Sequence, residues 1–236
     1  MGKKYECPFC NGKFATFLSA GGEFSVLSEK QIVGAGIRLH STCPRCLSSD
    51  RERLVYLYLF KEKKYILCDT LKLLHVAPEY NLAIKLKSNS KMHYLSADLN
   101  ASLADTQMDI TNIQEHDETY DVIICNHVLE HIPDDLQAMS ELYRVLKKGG
   151  FAILQVPISL ILEKTFEDPS VSTSEERESV FGHKEHVRIY GNDYRLRLEK
   201  AGFSVTAHPL TDYLGSVDVA RFGLNKKEKI FVCSKL

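Results

Sequence analysis

The sequence predicts an α/β fold with a mostly parallel sheet, preceded by a small cysteine-bearing module. Three observations carry this. From residue 70 onward, strand-like apolar runs alternate with helical patterns, which argues for a parallel sheet covered on both faces. Two Cys-Pro-x-Cys pairs, Cys7–Cys10 and Cys43–Cys46, stand at the head of the chain. Near residue 50 the composition changes from glycines and turns to a helical pattern.

The elements follow in order. Each Cys-x-x-Cys spacing lets two sulfurs point at one ion, so the two pairs read as a four-thiolate cage. Zinc is the expected metal and iron in a rubredoxin-like knuckle the competitor. Met1-Gly2-Lys3-Lys4-Tyr5 lacks the apolar run of a signal peptide, so a cytoplasmic, reducing compartment is expected and disulfides are disfavoured. Leu54, Tyr58 and Leu59 recur at helical spacing from Asp50 through Lys61. The expected division is a zinc ribbon over 1–49, a linking helix within 50–69 and the α/β domain over 70–236. With no Pro/Gly/Ser linker, the two modules are expected to pack together.

Within the α/β domain, Leu71–Ala77, His93–Ala97 and Tyr120–Cys125 read as strands, and Leu82–Leu86 as part of a short helix. Asp134 is placed to cap a helix whose apolar face is Leu136, Met139, Leu142, Tyr143 and Leu146. Lys147-Lys148-Gly149-Gly150 is expected to end that helix, with cations in its last turn and then glycine. Phe151–Val156, Phe203–Ala207 and Ile230–Cys233 are further strands, and a helix over 192–200 stops at Gly202. The segment 158–190 reads as an insertion.

Composition narrows the function. The 236 residues are 44% hydrophobic and 26% charged, with net charge −1. This is an ordinary globular balance. It gives no support for a nucleic-acid or membrane partner, and no apolar run reaches membrane-span length. Outside the knuckles lie Cys68, Cys125 and Cys233. The last two sit in strand-like runs and read as buried small hydrophobes.

The run Asp121-Val122-Ile123-Ile124-Cys125-Asn126-His127-Val128-Leu129-Glu130-His131-Ile132-Pro133-Asp134 resembles the central signature of class I S-adenosylmethionine-dependent methyltransferases. Leu146–Gly150 matches that family's next block. With the Cys-Pro-x-Cys head and Leu74-His75-Val76-Ala77-Pro78-Glu79, the chain resembles a bacterial subgroup of methyltransferase-domain proteins carrying a zinc ribbon. The resemblance implies a Rossmann-like, seven-stranded methyltransferase sheet with S-adenosylmethionine as cofactor. It implies that Ala77, Glu79, Asp98, Asp109, Ile110, Asn126 and His127 line the cofactor site. The family's usual glycine-rich first turn is replaced here by His75–Glu79, and Ala77 is the small residue that remains. Glu79 reads equally as an acid for the methionine amino group or as a helix cap. Asp98, at a strand end, is positioned to accept ribose hydroxyls, as in dinucleotide folds; a turn cap with Asn100 is the alternative. For Asp109, the alternative to an adenine contact is a simple loop aspartate.

His127, Glu130 and His131 lack the His-Glu-x-x-His order of a metalloprotease, so a cofactor-lining role is preferred to a metal. In the insertion, His183, His186 and Arg188 are the candidate catalytic residues. A histidine can take a proton from the acceptor, and an arginine can hold a carboxylate or phosphate. The alternative is a structural role at a loop junction. The expected function is methyl transfer to an unidentified small-molecule or glycan-type acceptor. The rivals are a non-catalytic scaffold on a degenerate fold and an RNA methyltransferase that grips RNA with the ribbon.

Overall fold

The structure, a computed structural model, describes residues 3–62 and 70–236. Cys68 and the end of the expected linking segment lie outside them. Seven strands form the main sheet: β1 (Leu71–Val76), β2 (Met92–Asp98), β3 (Thr106–Gln107), β4 (Tyr120–Asn126), β5 (Leu146–Gln155), β6 (Ser204–Pro209) and β7 (Lys229–Ser234). Their spatial order is β6-β7-β5-β4-β1-β2-β3. Neighbours from β5 to β3 run parallel, and β7 lies antiparallel to both β5 and β6. This is the Rossmann-like mixed sheet that the alternation and the family resemblance led one to expect. The order reverses between β1 and β4, which opens a crevice at their carboxyl ends.

Side chains alternate across the sheet with the two-residue period of a strand. Leu73, Val122, Ile124, Phe151 and Ile153 face one apolar layer. Leu74, Val76, Ile123, Cys125, Ala152 and Leu154 face the other. The helices are α1 (Ser25–Glu29), α2 (Asp50–Lys61), α3 (Tyr80–Lys87), α4 (Asp135–Val145), α5 (Ser174–Phe181), α6 (Tyr194–Lys200) and α7 (Ser216–Arg221). Helix α2 begins with a capping box, Ser49 with Glu52, and α5 with another, Thr173 with Glu176. Asp134 caps α4 by accepting from the Gln137 N–H at 3.0 Å.

One boundary differs from expectation. Helix α4 stops at Val145, so Lys147 and Lys148 lie in the extended start of β5 rather than in a last helical turn. Lys147 instead pairs with Asp121 at 2.9 Å. Gly149 takes φ +76°, and the register against β4 shifts between Leu146 and Phe151. The glycine pair thus forms a bulge inside the strand.

The cysteine segment is woven into the rest. Tyr5, Cys7, Phe9, Phe17 and Cys43 share one core with Leu54, Leu73, Ile124 and Ile230. The short strand Ile32–Val33 pairs with Ile158–Ser159 of the insertion. Arg53 is fully buried and donates to the carbonyls of Ser41, Ser48 and Phe222. It ties the cysteine segment and α2 to the end of α7.

Candidate functional site

A cleft of about 340 Å³ opens at the switch point, where β1, β2 and β4 end. Val76 and Ala77 enter it from β1, Asp98 from β2, Asp109 and Ile110 from the loop after β3, and His127 from the end of β4. His131 and Glu185 close its far side. A larger cavity of about 470 Å³ lies on the β5–β7–β6 side. Two of its polar residues are engaged: Gln155 bonds the backbone of Lys229 and Phe231, and the Tyr194 hydroxyl donates to the Leu154 carbonyl; Glu228, also in its lining, keeps one buried oxygen without a hydrogen bond. A ligand site needs a few convergent, available polar groups, and the switch-point cleft has them.

Asp98 Oδ1 accepts the Asn100 N–H at 2.8 Å. The turn contact expected as the alternative therefore exists, and the same residue lines the cleft. Asp109 Oδ1 accepts from the Thr111 N–H and hydroxyl at 2.8 and 2.7 Å. Ile110 is buried beside it. Ala77 has φ +47° and His127 φ +58°, the left-handed region that costs non-glycine residues roughly 1–2 kcal/mol. The cleft is thus flanked by two strained backbone turns, and Ala77 holds the conformation a glycine would adopt freely.

Glu79 and Asn126 stand next to the cleft rather than in its lining. Asn126 Nδ2 donates to one oxygen of Glu79, and His75 Nε2 bonds the other at 2.8 Å. Glu79 is the N-cap residue of α3 but makes no side-chain cap. The capping alternative is corrected: both of its oxygens are drawn to His75 and Asn126. Among the described residues, Asn126 Oδ1, His127 Nδ1 and Glu130 Oε2 are buried without a hydrogen bond, although His127 Nδ1 lies 3.3 Å from Glu130 Oε1; such groups call for an explanation at a site. Burial holds the His127 imidazole neutral. Burial also pushes the Glu130 carboxyl up to about 7, against the pull of Arg51 and Arg188.

The expected catalytic trio separates. Arg188 is buried, and its guanidinium is fully engaged. It donates to the carbonyls of Leu129, Ile132 and Pro133 and to the Glu167 carboxylate. No fork remains for a substrate anion, so Arg188 pins the segment after β4 instead. His186 is buried, and desolvation, helped by the charges of His131, His183 and Arg51, pushes its pKa down to about 2. So weak a base has little driving force for taking a proton near neutral pH. That stands against the general-base expectation for His186. His183 and His186 do come together, and His131 joins them: the ring centroids lie 4.5, 4.7 and 5.4 Å apart. Helix α4, strand β5 and most of the insertion separate His131 from the pair in sequence, so nothing in the linear pattern marked the cluster.

Cys7, Cys10, Cys43 and Cys46 converge at the other end of the chain. Their sulfurs all lie within 4.8 Å of one another. Cys7–Cys46 is 3.5 Å and Cys10–Cys43 is 3.8 Å, too long for disulfides. Zinc at about 2.3 Å from each sulfur sets tetrahedral edges of about 3.8 Å, so the residues fit the metal. Burial pushes the Cys7, Cys10 and Cys43 thiols up, whereas at Cys46 burial is outweighed by hydrogen bonds from Ser48 and the thiol shifts down.

Comparison with known proteins agrees with this geometry. The methyltransferase domain family matches residues 75–154. A mouse arsenite methyltransferase is 45% identical over 47 residues, covering 17% of this chain and 12% of that protein. The chain therefore spans about an eighth of that relative's length. A solved SAM-dependent methyltransferase from Archaeoglobus fulgidus aligns with TM-score 0.50 at 13% identity, over 78% of this chain and 94% of its own. The (4+2)-cyclase SpnF aligns with TM-score 0.50 at 15% identity, over 78% and 81%. These likenesses concern the fold. No helix among the described residues is long and apolar enough to cross a membrane.

Proposed function

We propose, from the methyltransferase domain that this chain carries over residues 75–154, that it transfers a methyl group from S-adenosylmethionine to a small-molecule or glycan-type acceptor. The observation that carries the reading is the switch-point cleft, lined by Ala77, Asp98, Asp109, Ile110 and His127. It offers two carboxylates, an apolar wall and a small residue at the turn. Asp98 would accept the ribose hydroxyls, Asp109 and Ile110 would hold the adenine, and Glu79 with Asn126 would meet the methionine end. When bound, the sulfonium supplies an already activated methyl group. The chain then has to align donor and acceptor and exclude water. The insertion over 158–190, which brings Glu185 to the cleft, is the wall an acceptor would meet.

The four cysteines form a structural zinc site in this reading, since four thiolates leave no open position for catalysis. The stretch shared with the mouse arsenite methyltransferase is too short to carry a substrate across. A second reading has its own support: a cyclase shares the fold at the same TM-score as a methyltransferase. The fold alone therefore does not choose the reaction.

Calorimetry with S-adenosylmethionine and S-adenosylhomocysteine tests the proposal. Both should bind, and Asp98→Ala should weaken binding by about 1–3 kcal/mol without changing the melting temperature. A folded protein that binds neither compound would overturn it. Binding with no methylated product across an acceptor screen would favour the second reading.

A further inference from the structure

The geometry points to a second metal site: His131, His183 and His186 ligate one divalent transition-metal ion, zinc by the chemistry of its ligands, at the far side of the cleft. One ring nitrogen from each of the three lies within 4.8 Å of the others. Zinc sits about 2.0–2.1 Å from an imidazole nitrogen, so ligand nitrogens about 3.3 Å apart would share it, and the three rings stand within reach of that spacing. The three reach this point from two separate segments. His131 ends the helical turn that follows β4. His183 and His186 come from the loop after α5, which the Val187 N–H fastens to the Glu130 carbonyl at 3.0 Å.

The rings are also held in place. His183 Nδ1 accepts the Glu185 N–H at 3.2 Å, which leaves Nε2 as the ligand atom. The Glu185 backbone hydrogen-bonds the His131 ring. Such outer contacts fix tautomer and orientation in histidine metal sites. Acidic side chains stand close by: a Glu130 oxygen lies 4.0 Å from His186 Nε2, and Glu185 lies beside His131.

Three imidazoles are a borderline-soft donor set that suits zinc and its neighbours in the first transition series. Three protein ligands leave a fourth position open, unlike the closed cage of four cysteines. Of the three, His131 lines the cleft, which puts the ion at the cleft's edge. If the methyltransferase reading holds, an anionic oxygen or sulfur of the acceptor would occupy that position.

The test uses the full chain with zinc alone, with no donor or acceptor present. Protein stripped with chelator is dialysed against zinc, and bound metal is measured by mass spectrometry. His183→Ala should bind one zinc fewer per chain than wild type, and the two proteins should melt alike once stripped of metal because His183 is only half buried. His183→Gln provides the same comparison should the alanine variant fold poorly. With cobalt(II), the cysteine site gives thiolate charge-transfer absorption, and the histidine site adds ligand-field bands that His183→Ala removes. Equal stoichiometry in wild type and both variants would overturn the proposal and leave three packed, metal-free histidines. Because the readout needs no cofactor, that result would leave the methyl-transfer reading standing, and failure of donor binding would leave the metal site standing.

Discussion

Ala77 shows how much one residue carries at this site. It holds φ +47° at the lip of the cleft, where glycine would pay no steric penalty. Ala77→Gly should leave stability unchanged or raise it by up to about 1 kcal/mol, whereas Ala77→Val should cost more than 1 kcal/mol. Chemical denaturation of the two variants checks the opposite signs. Arg188 makes the contrasting case. Its removal strips a charged donor from the carbonyls of Leu129, Ile132 and Pro133 and leaves the exposed Glu167 to Arg197 alone. Arg188→Ala should therefore destabilise by about 3 kcal/mol. Donor affinity per folded molecule should stay near wild type. A normal melting temperature with lost activity would return Arg188 to the catalytic list.

At the scale of elements, the cysteine knuckle and the turn after β1 meet through α2 and α3. The buried Glu52 accepts the Ser49 N–H at 2.7 Å and the Leu82 N–H at 3.3 Å. Asn81 bonds both Glu52 and the Cys46 carbonyl. Helix α3 follows directly on Ala77-Pro78-Glu79, so this joint sets the angle of the turn after β1. Glu52→Ala should cost about 2 kcal/mol and loosen hydrogen exchange at the start of α3. Glu228, in the turn before β7, gives a pH signature. Burial raises its carboxyl from 4.5 to about 7, with Asp50 adding to the rise and Arg51 and Arg38 opposing it. The folded state then prefers the protonated form. That contribution is fully present below about pH 4.5 and is lost as pH rises through about 7. Glu228→Gln removes the dependence. It should gain about 1–3 kcal/mol on wild type between pH 5 and pH 8, seen as a smaller fall in melting temperature over that interval.

For the whole molecule, the continuous core is the deciding fact. Residues around the cysteines pack with strands β1, β4 and β7 in one apolar layer. A metal that binds only the folded cage stabilises whatever is cooperative with it. Chelation should therefore lower the melting temperature of the entire chain in one calorimetric transition. Two separable transitions, with the sheet unaffected by chelator, would show that the cysteine segment folds on its own. A chain starting at residue 50 should likewise be insoluble or unfolded, because Leu54, Leu73 and Ile230 would lose the packing of Tyr5, Phe9 and Phe17.

Much of this architecture was legible in the chain. Period-two apolar runs such as Tyr120–Cys125 and the helical spacing of Leu54, Tyr58 and Leu59 report burial that recurs locally, and local periodicity survives any tertiary arrangement. The cysteine pairs were legible because two ligands of each half are neighbours in sequence. Residues lining the cleft, such as Ala77, Asp98 and Asp109, lie at strand ends, where the topology of a parallel sheet gathers ligands. What the tertiary structure alone decided depends on long-range proximity. The meeting of His131 with His183 and His186, the burial that weakens His186 and raises Glu130 and Glu228, and the engagement of every Arg188 donor all arise between segments distant in sequence. No spacing rule encodes such desolvation, because it is set by which other elements cover a side chain and not by the neighbours it has along the chain.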